Sequence, residues 1–268
     1  MFHHQDSRDA KTRSNASRTL LSIWSWLALG VILLSWFPVV VLVRLLSAPF
    51  DKGRYLTGYV FRRSAVLHHM VNPMWNFHRS GTLPDDMRNP YVVVANHQSF
   101  VDMLLISQLP FEMKWLAKQS LFKIPVAGWM MRLSGDIMLQ RGDRGSGTVA
   151  LDRCREILQQ RISVIIFPEG TRSADGDVGS FKDGAFRLAI TSGVPVLPLV
   201  IDGADKALRK HDWRLGDANA VVRILEPIST DGMDESDIPE LRELVRGQIV
   251  AELERMRLER TGDFVSLV

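Results

Sequence analysis

A histidine and an aspartate lie five positions apart, directly after a short apolar run. The run reads YVVVA over residues 91–95, and His97 and Asp102 follow it in the stretch NHQSFVD. A carboxylate that accepts a hydrogen bond from one imidazole nitrogen fixes the tautomer and leaves the other nitrogen free to take a proton from a hydroxyl. The pair therefore predicts general-base chemistry, with His97 as the base and Asp102 as its partner. The alternative is an incidental histidine beside an ordinary helix start.

The chain must turn between these two residues for their side chains to meet. On one continuous helix, residues five apart lie about 140° apart around the axis. Ser99, with Asp102 three residues later, has the pattern of a capping box. We therefore predict that Ser99 caps a helix that begins near Phe100. Asp102 would then lie in the first helical turn, where the helix dipole stabilises a carboxylate, and His97 would lie just outside it.

A second polar stretch, FPEGTRS at residues 167–173, follows another apolar run. Gly170 permits a tight turn, and the amides, the Thr171 hydroxyl and the Arg172 guanidinium suit a phosphate. Glu169 is expected to bind a glycerol hydroxyl or to hold Arg172 in place. An ordinary strand-ending turn with an exposed ion pair is the alternative.

Short apolar runs alternate with helical stretches after residue 90. Strands are expected at residues 91–95, 113–117, 137–139, 163–167, 194–201 and 221–225. Helices are expected from about residue 100, over 146–160 and 182–191, and from about residue 238, where apolar residues recur at helical spacing. The alternation predicts an α/β fold with a mixed, mostly parallel sheet flanked by helices on both faces. Because sites gather at strand ends in such sheets, both polar stretches are well placed.

An uncharged segment, residues 19–43, lies between Arg18 and Arg44. About 20 apolar residues in a helix suffice to cross a bilayer, and its three tryptophans suit the headgroup level. Pro38 can kink or break this helix, so a single kinked span and a helical hairpin in one leaflet both stay open. Basic residues on both flanks slightly favour both ends on the same, cytoplasmic side.

Three regions are predicted along the chain. They are a polar N-terminal tail (residues 1–18), a membrane-associated helical segment (19–80) with a second helix over 52–78, and an α/β domain (81–268). The balance of 33 Lys+Arg against 30 Asp+Glu suits an anionic lipid surface or a phosphorylated substrate and does not favour nucleic acid. Cys154 is the one cysteine, which excludes an internal disulfide and a cysteine-cluster metal site. It is expected to be a packing residue, and no cofactor is expected.

Taken together, these stretches resemble the lysophosphatidic acid acyltransferase family, the bacterial 1-acyl-glycerol-3-phosphate acyltransferases. The first family signature, His-x4-Asp, is matched by His97 and Asp102, and the third by residues 167–173. The second and fourth are matched by GDIMLQR at 135–141 and VPVLPL at 194–199, and FKDGAF at 181–186 also agrees. The resemblance covers roughly residues 90–200, and four motifs in the family's order are far more specific than any one of them.

The resemblance implies a glycerolipid acyltransferase fold, with His97 as base and Asp102 as its partner. It implies that Lys118 serves the oxyanion or the phosphate. The acceptor's phosphate and glycerol would be bound by Arg141, Glu169, Gly170, Thr171 and Arg172.

The implied reaction is direct transfer of a fatty acyl group from acyl-CoA or acyl carrier protein, without an acyl-enzyme. The acceptor would be the sn-2 hydroxyl of 1-acyl-glycerol-3-phosphate and the product phosphatidic acid, at the cytoplasmic face of the bacterial inner membrane. Another lyso-lipid acceptor, such as a lyso-ornithine lipid, is the nearest alternative. A hydrolase and a non-catalytic lipid-binding protein are further ones.

Overall fold

The computed structural model describes residues 14–173, 175–209 and 212–261. Most of the predicted polar tail lies outside these residues. The helices are α1 Asn15–Ser47, α2 Tyr55–Val71, α3 Asp102–Ile106, α4 Ala127–Ser134, α5 Arg144–Gln159, α6 Gly184–Ser192 and α7 Ile238–Thr261. The strands are β1 Trp75–Gly81, β2 Val92–Ala95, β3 Met113–Lys118, β4 Ile137–Leu139, β5 Ser163–Ile166, β6 Val196–Asp202 and β7 Ala218–Ile224.

The seven strands form one sheet in the order β1-β7-β6-β2-β5-β3-β4. Neighbouring strands run parallel, except for β6 and β7, which are antiparallel. The predicted mixed, mostly parallel sheet is therefore confirmed. The carboxyl ends of β2, β5, β3 and β4 lie at one edge of the sheet, and the loops that follow these strands carry the predicted site residues.

Helices cover both faces of the sheet, as predicted. In β2, Val93 packs into the core on the α2–α4 side, whereas Val92 and Val94 pack into the core formed with α5, α6 and α7. This explains why β2 is apolar at every position: a strand buried on both faces shows no alternation. Cys154 on α5 is fully buried in the second core, which agrees with its expected packing role.

The predicted helix over residues 52–78 is wrong in its last part. α2 ends at Val71, and β1 begins at Trp75. Between them, the Asn72 side chain accepts a hydrogen bond from the Met74 amide at 2.9 Å and closes a turn. Trp75 and Phe77 then point into the core, with their rings stacked, while β1 pairs with β7. The division of the chain at residue 80 stays a prediction.

α1 is continuous through Pro38 and is, within the described residues, the one helix long and apolar enough to cross a membrane. One side of it packs on the rest of the protein along most of its length. The Arg18 guanidinium bonds the Leu215 carbonyl at one end, and the Trp36 indole bonds the Val60 carbonyl farther along. The opposite side is exposed and apolar, with Leu20, Ile23, Leu27, Val31, Leu34, Val39, Leu42 and Leu45.

Candidate active site

The loop after β2 brings the predicted base and its partner together. His97 Nδ1 donates to Asp102 Oδ2 at 2.8 Å. The same carboxylate oxygen accepts the amides of Gln98 at 2.7 Å and Ser99 at 2.9 Å. Asp102 is completely buried and His97 is 13% exposed. Because Nε2 of His97 has no hydrogen-bond partner among the described residues, it is the nitrogen available to a substrate hydroxyl.

The predicted helix cap at Ser99 is wrong. α3 starts at Asp102 itself, its N-cap position is Val101, and no side chain caps it. Only half of the predicted capping box forms, because Asp102 reaches back to the Ser99 amide while the Ser99 hydroxyl accepts from Val101 at 3.4 Å. The chain thus wraps around the carboxylate. Burial raises the pKa of Asp102, and the hydrogen bonds from His97 and the two amides oppose that shift.

Glu169 fastens the second polar loop to the first. Its Oε1 accepts the His97 amide at 2.8 Å, and its Oε2 accepts the Gly179 amide at 3.1 Å. The two loops also join where the Ser173 amide donates to the His97 carbonyl at 2.8 Å. Burial raises the pKa of Glu169, and the two amide bonds oppose the shift. Glu169 therefore bonds backbone amides instead of Arg172, and its binding of a glycerol hydroxyl stays a prediction.

A cavity of about 300 Å³, here called the cationic cavity, opens at the ends of β3, β4 and β5. Lys118, Arg141 and Gly170 line it, so the structure brings these three predicted residues together. Phe167 also lines it and stacks on the His97 ring at 4.0 Å between centroids. The cavity thus adjoins the predicted base.

Lys182 also lines the cationic cavity, although its position in the sequence did not predict a place in the site. The available signal was the FKDGAF stretch, which agreed with the family without a role attached to its lysine.

Arg172 lines a separate space, here called the arginine cleft, of about 340 Å³. Gln98 lines the same cleft. Arg172 and Arg141 therefore line different spaces, although both were expected to hold one phosphate, and their joint role stays a prediction. Thr171 is exposed at the turn between the two spaces.

A third cavity, of about 140 Å³, lies between the first four helices and is almost entirely apolar. Leu29 and Leu33 of α1 line one side of it, and Trp115 of β3 lines another. The Trp115 ring lies 6.1 Å from the Phe167 ring, which stacks on His97. This apolar cavity therefore lies between α1 and Trp115, whose ring contacts the phenyl ring that stacks on His97.

Comparisons with known proteins agree with this geometry. A family model described as Acyltransferase matches residues 75–202. The chloroplastic 1-acyl-sn-glycerol-3-phosphate acyltransferase LPAT1 of Arabidopsis thaliana is 38% identical over 173 residues, which are 60% of this chain and 48% of that protein. The human 1-acyl-sn-glycerol-3-phosphate acyltransferase alpha is 34% identical over 175 residues, 65% of this chain and 62% of that protein.

A solved structure resembles the whole fold. The crystal structure of the 1-acyl-sn-glycerophosphate (LPA) acyltransferase PlsC from Thermotoga maritima has a TM-score of 0.76 and 28% sequence identity, and covers 90% of this chain and 97% of that chain. The sheet, the histidine–aspartate pair and these matches agree with an acyltransferase domain over residues 75–202. The particular relatives it resembles are 1-acyl-sn-glycerol-3-phosphate acyltransferases, so the resemblance drawn from the motifs is confirmed. The chain spans about half to three fifths of the length of the matched curated relatives.

Proposed function

We propose that the protein transfers a fatty acyl group from a thioester donor to the sn-2 hydroxyl of 1-acyl-glycerol-3-phosphate, forming phosphatidic acid. The observation that carries this proposal is the 2.8 Å bond from His97 to a buried carboxylate, next to a cavity lined by three cations. The names of the relatives support the acceptor. Acyl-CoA and acyl carrier protein both stay open as the donor.

The geometry supports a direct attack. The acceptor hydroxyl lies at Nε2 of His97, which takes its proton as the oxygen bonds the thioester carbonyl carbon. Asp102 stabilises the imidazolium that forms. The tetrahedral oxyanion then collapses, the carbon–sulfur bond breaks, and the thiolate leaves with the electron pair and takes the proton back from the imidazolium. No covalent acyl-enzyme is needed.

The acceptor's polar end fits the cationic cavity, where Lys118 and Arg141 supply positive charge beside the Gly170 turn. Lys118 is therefore proposed for the phosphate in preference to the oxyanion. An acyl chain fits the apolar cavity. Arg172 stays a predicted ligand of the acceptor, reached from the arginine cleft.

The packing of α1 favours a position in one leaflet over a complete span. A helix of 33 residues is about 50 Å long. Because contacts with the rest of the protein run from Arg18 to beyond Trp36, a crossing α1 would carry parts of the α/β fold and their charges into the hydrocarbon. Lying along the bilayer surface, α1 exposes its apolar side to lipid and keeps the fold in water. The cytoplasmic face stays a prediction.

The test is acyl transfer by purified protein with a labelled thioester donor and a panel of lyso-lipids. His97→Ala should abolish transfer to 1-acyl-glycerol-3-phosphate while melting temperature and vesicle binding stay as in the wild type. His78→Ala, which removes an exposed histidine on β1, is the matched control and should keep full activity. A turnover rate of His97→Ala equal to that of the wild type would contradict the proposed mechanism.

The same panel separates the alternatives. If the protein prefers lyso-ornithine lipid, that lipid and not 1-acyl-glycerol-3-phosphate is the acceptor. Hydrolysis of the thioester donor in the absence of any lyso-lipid would favour a hydrolase.

A further inference from the structure

The cationic cavity and the arginine cleft differ in charge balance. Three cations line the cavity, and no acidic residue is among its described lining residues. In the cleft, Arg172 and Arg209 are offset by Asp175 and Asp205. A phosphate carries up to two negative charges, so the uncompensated cavity attracts it more strongly than the nearly neutral cleft.

Lys182 is held close to the turn at Gly170. Its amide donates to the Pro168 carbonyl at 3.0 Å, which ties its backbone to the FPEGTRS loop. A Cβ added at Gly170 would lie 2.8 Å from Lys182 Nζ, so the ammonium lies directly over this turn. Gly170 has a φ of +71°, a left-handed conformation that favours glycine. The turn thus leaves room for the ammonium at the edge of the cavity.

Lys182 is not neutralised by its acidic neighbour. Asp183 pairs with Arg242 of α7 instead, and its side chain does not cap α6. Lys182 itself has no ion-pair or hydrogen-bond partner for its ammonium among the described residues. Its charge is therefore available to a ligand in the cavity.

We infer that Lys182 is a third ligand of the acceptor's phosphate, together with Lys118 and Arg141. The inference rests on the proposed function and adds a residue to that same site.

The test is steady-state kinetics of the 268-residue chain in vesicles, with Lys182→Gln, Lys182→Arg and Arg172→Gln. Lys182→Gln should raise the KM for 1-acyl-glycerol-3-phosphate about tenfold, which corresponds to about 1.4 kcal/mol, the scale of one charge-assisted contact. The KM for the donor should change less than about twofold, because the inference places the acceptor's phosphate at this lysine and no group of the donor. Lys182→Arg should restore most of the affinity. Lys206→Gln, which removes an exposed lysine from the loop after β6, is the control for lost charge alone.

An acceptor without phosphate, 1-acylglycerol, tests the assignment independently of folding. Its kcat/KM should be equal in wild-type protein and Lys182→Gln. An unchanged acceptor KM in Lys182→Gln, or an equal rise in the donor KM, overturns the inference and leaves the proposed function standing. A rise in Arg172→Gln but not in Lys182→Gln would move the phosphate to the arginine cleft. Wild-type protein without any preference for the phosphorylated acceptor would overturn the proposed function as well.

Discussion

Asp102→Asn removes the negative charge beside His97, the proposed base, while nearly preserving the shape of the residue 102 side chain. Two unit charges separated by the 2.8 Å of the His97–Asp102 bond attract each other by about 6 kcal/mol at an effective dielectric constant near 20. If about half of the imidazolium charge has developed in the transition state, the loss is about 3 kcal/mol, or about 10²-fold in kcat. The asparagine oxygen can still accept from His97 and the two amides, so the loop should keep its path.

The assay is kcat at saturating donor and acceptor, together with thermal unfolding. The Asn amide nitrogen would take the place of Asp102 Oδ1, which is buried without a hydrogen-bond partner in the described structure, so the stability should fall by about 1–3 kcal/mol. Asp85→Asn, which removes an exposed carboxylate in the loop before β2, should change neither quantity. A kcat within about threefold of the wild type, in a folded Asp102→Asn protein, would refute the electrostatic role argued from the geometry.

Two further predictions concern the parts that hold and place the site. Arg62→Met should lower the free energy of unfolding by about 3–5 kcal/mol, because it leaves the buried carboxylates of Asp136 and Glu112 without this partner. Arg187→Met, which breaks an exposed ion pair, should lower it by at most about 1 kcal/mol. Equal denaturant midpoints for the two variants would contradict this. The double variant Leu27→Arg, Leu34→Arg should bind lipid vesicles at least about tenfold more weakly in a flotation assay, because charged side chains on a lipid-facing helix are costly. Leu258→Arg, at an exposed position on α7, should leave vesicle binding unchanged. Unchanged flotation of the double variant would show that the exposed side of α1 does not face lipid.

The elements that the sequence predicted best are those whose burial is uniform or periodic. The strand at residues 91–95 reads as apolar throughout because both of its faces are covered, and α7 begins at Ile238, as its helical spacing predicted. β1 was missed because its burial alternates over few residues and its polar positions include His78 and Arg79. Those residues also fit the surface of a helix, and only pairing with β7, more than 130 residues later, selects the strand.

In the candidate site too, contacts within one short loop could be predicted from the sequence, whereas contacts between distant loops could not. The His97–Asp102 pair was predictable because both residues belong to one short loop. The bond from Glu169 to the His97 amide was not, since a glutamate in a polar loop gives no sign of which distant amide it will meet. Arg172 and Arg141 line different spaces, and their spacing along the chain does not encode which space each side chain lines.

The carboxylate of Glu169 couples the position of the FPEGTRS loop to that of the loop that carries His97, although the two bonded residues are 72 positions apart in the sequence. A change anywhere in the FPEGTRS loop that displaces this carboxylate will also tilt the backbone that carries the imidazole. Substitutions in one loop are therefore constrained by the other loop, even at positions that do not contact a lipid. For the same reason, slower turnover in a variant of this loop does not by itself show a lost contact with the acceptor, because the His97 ring can have moved instead.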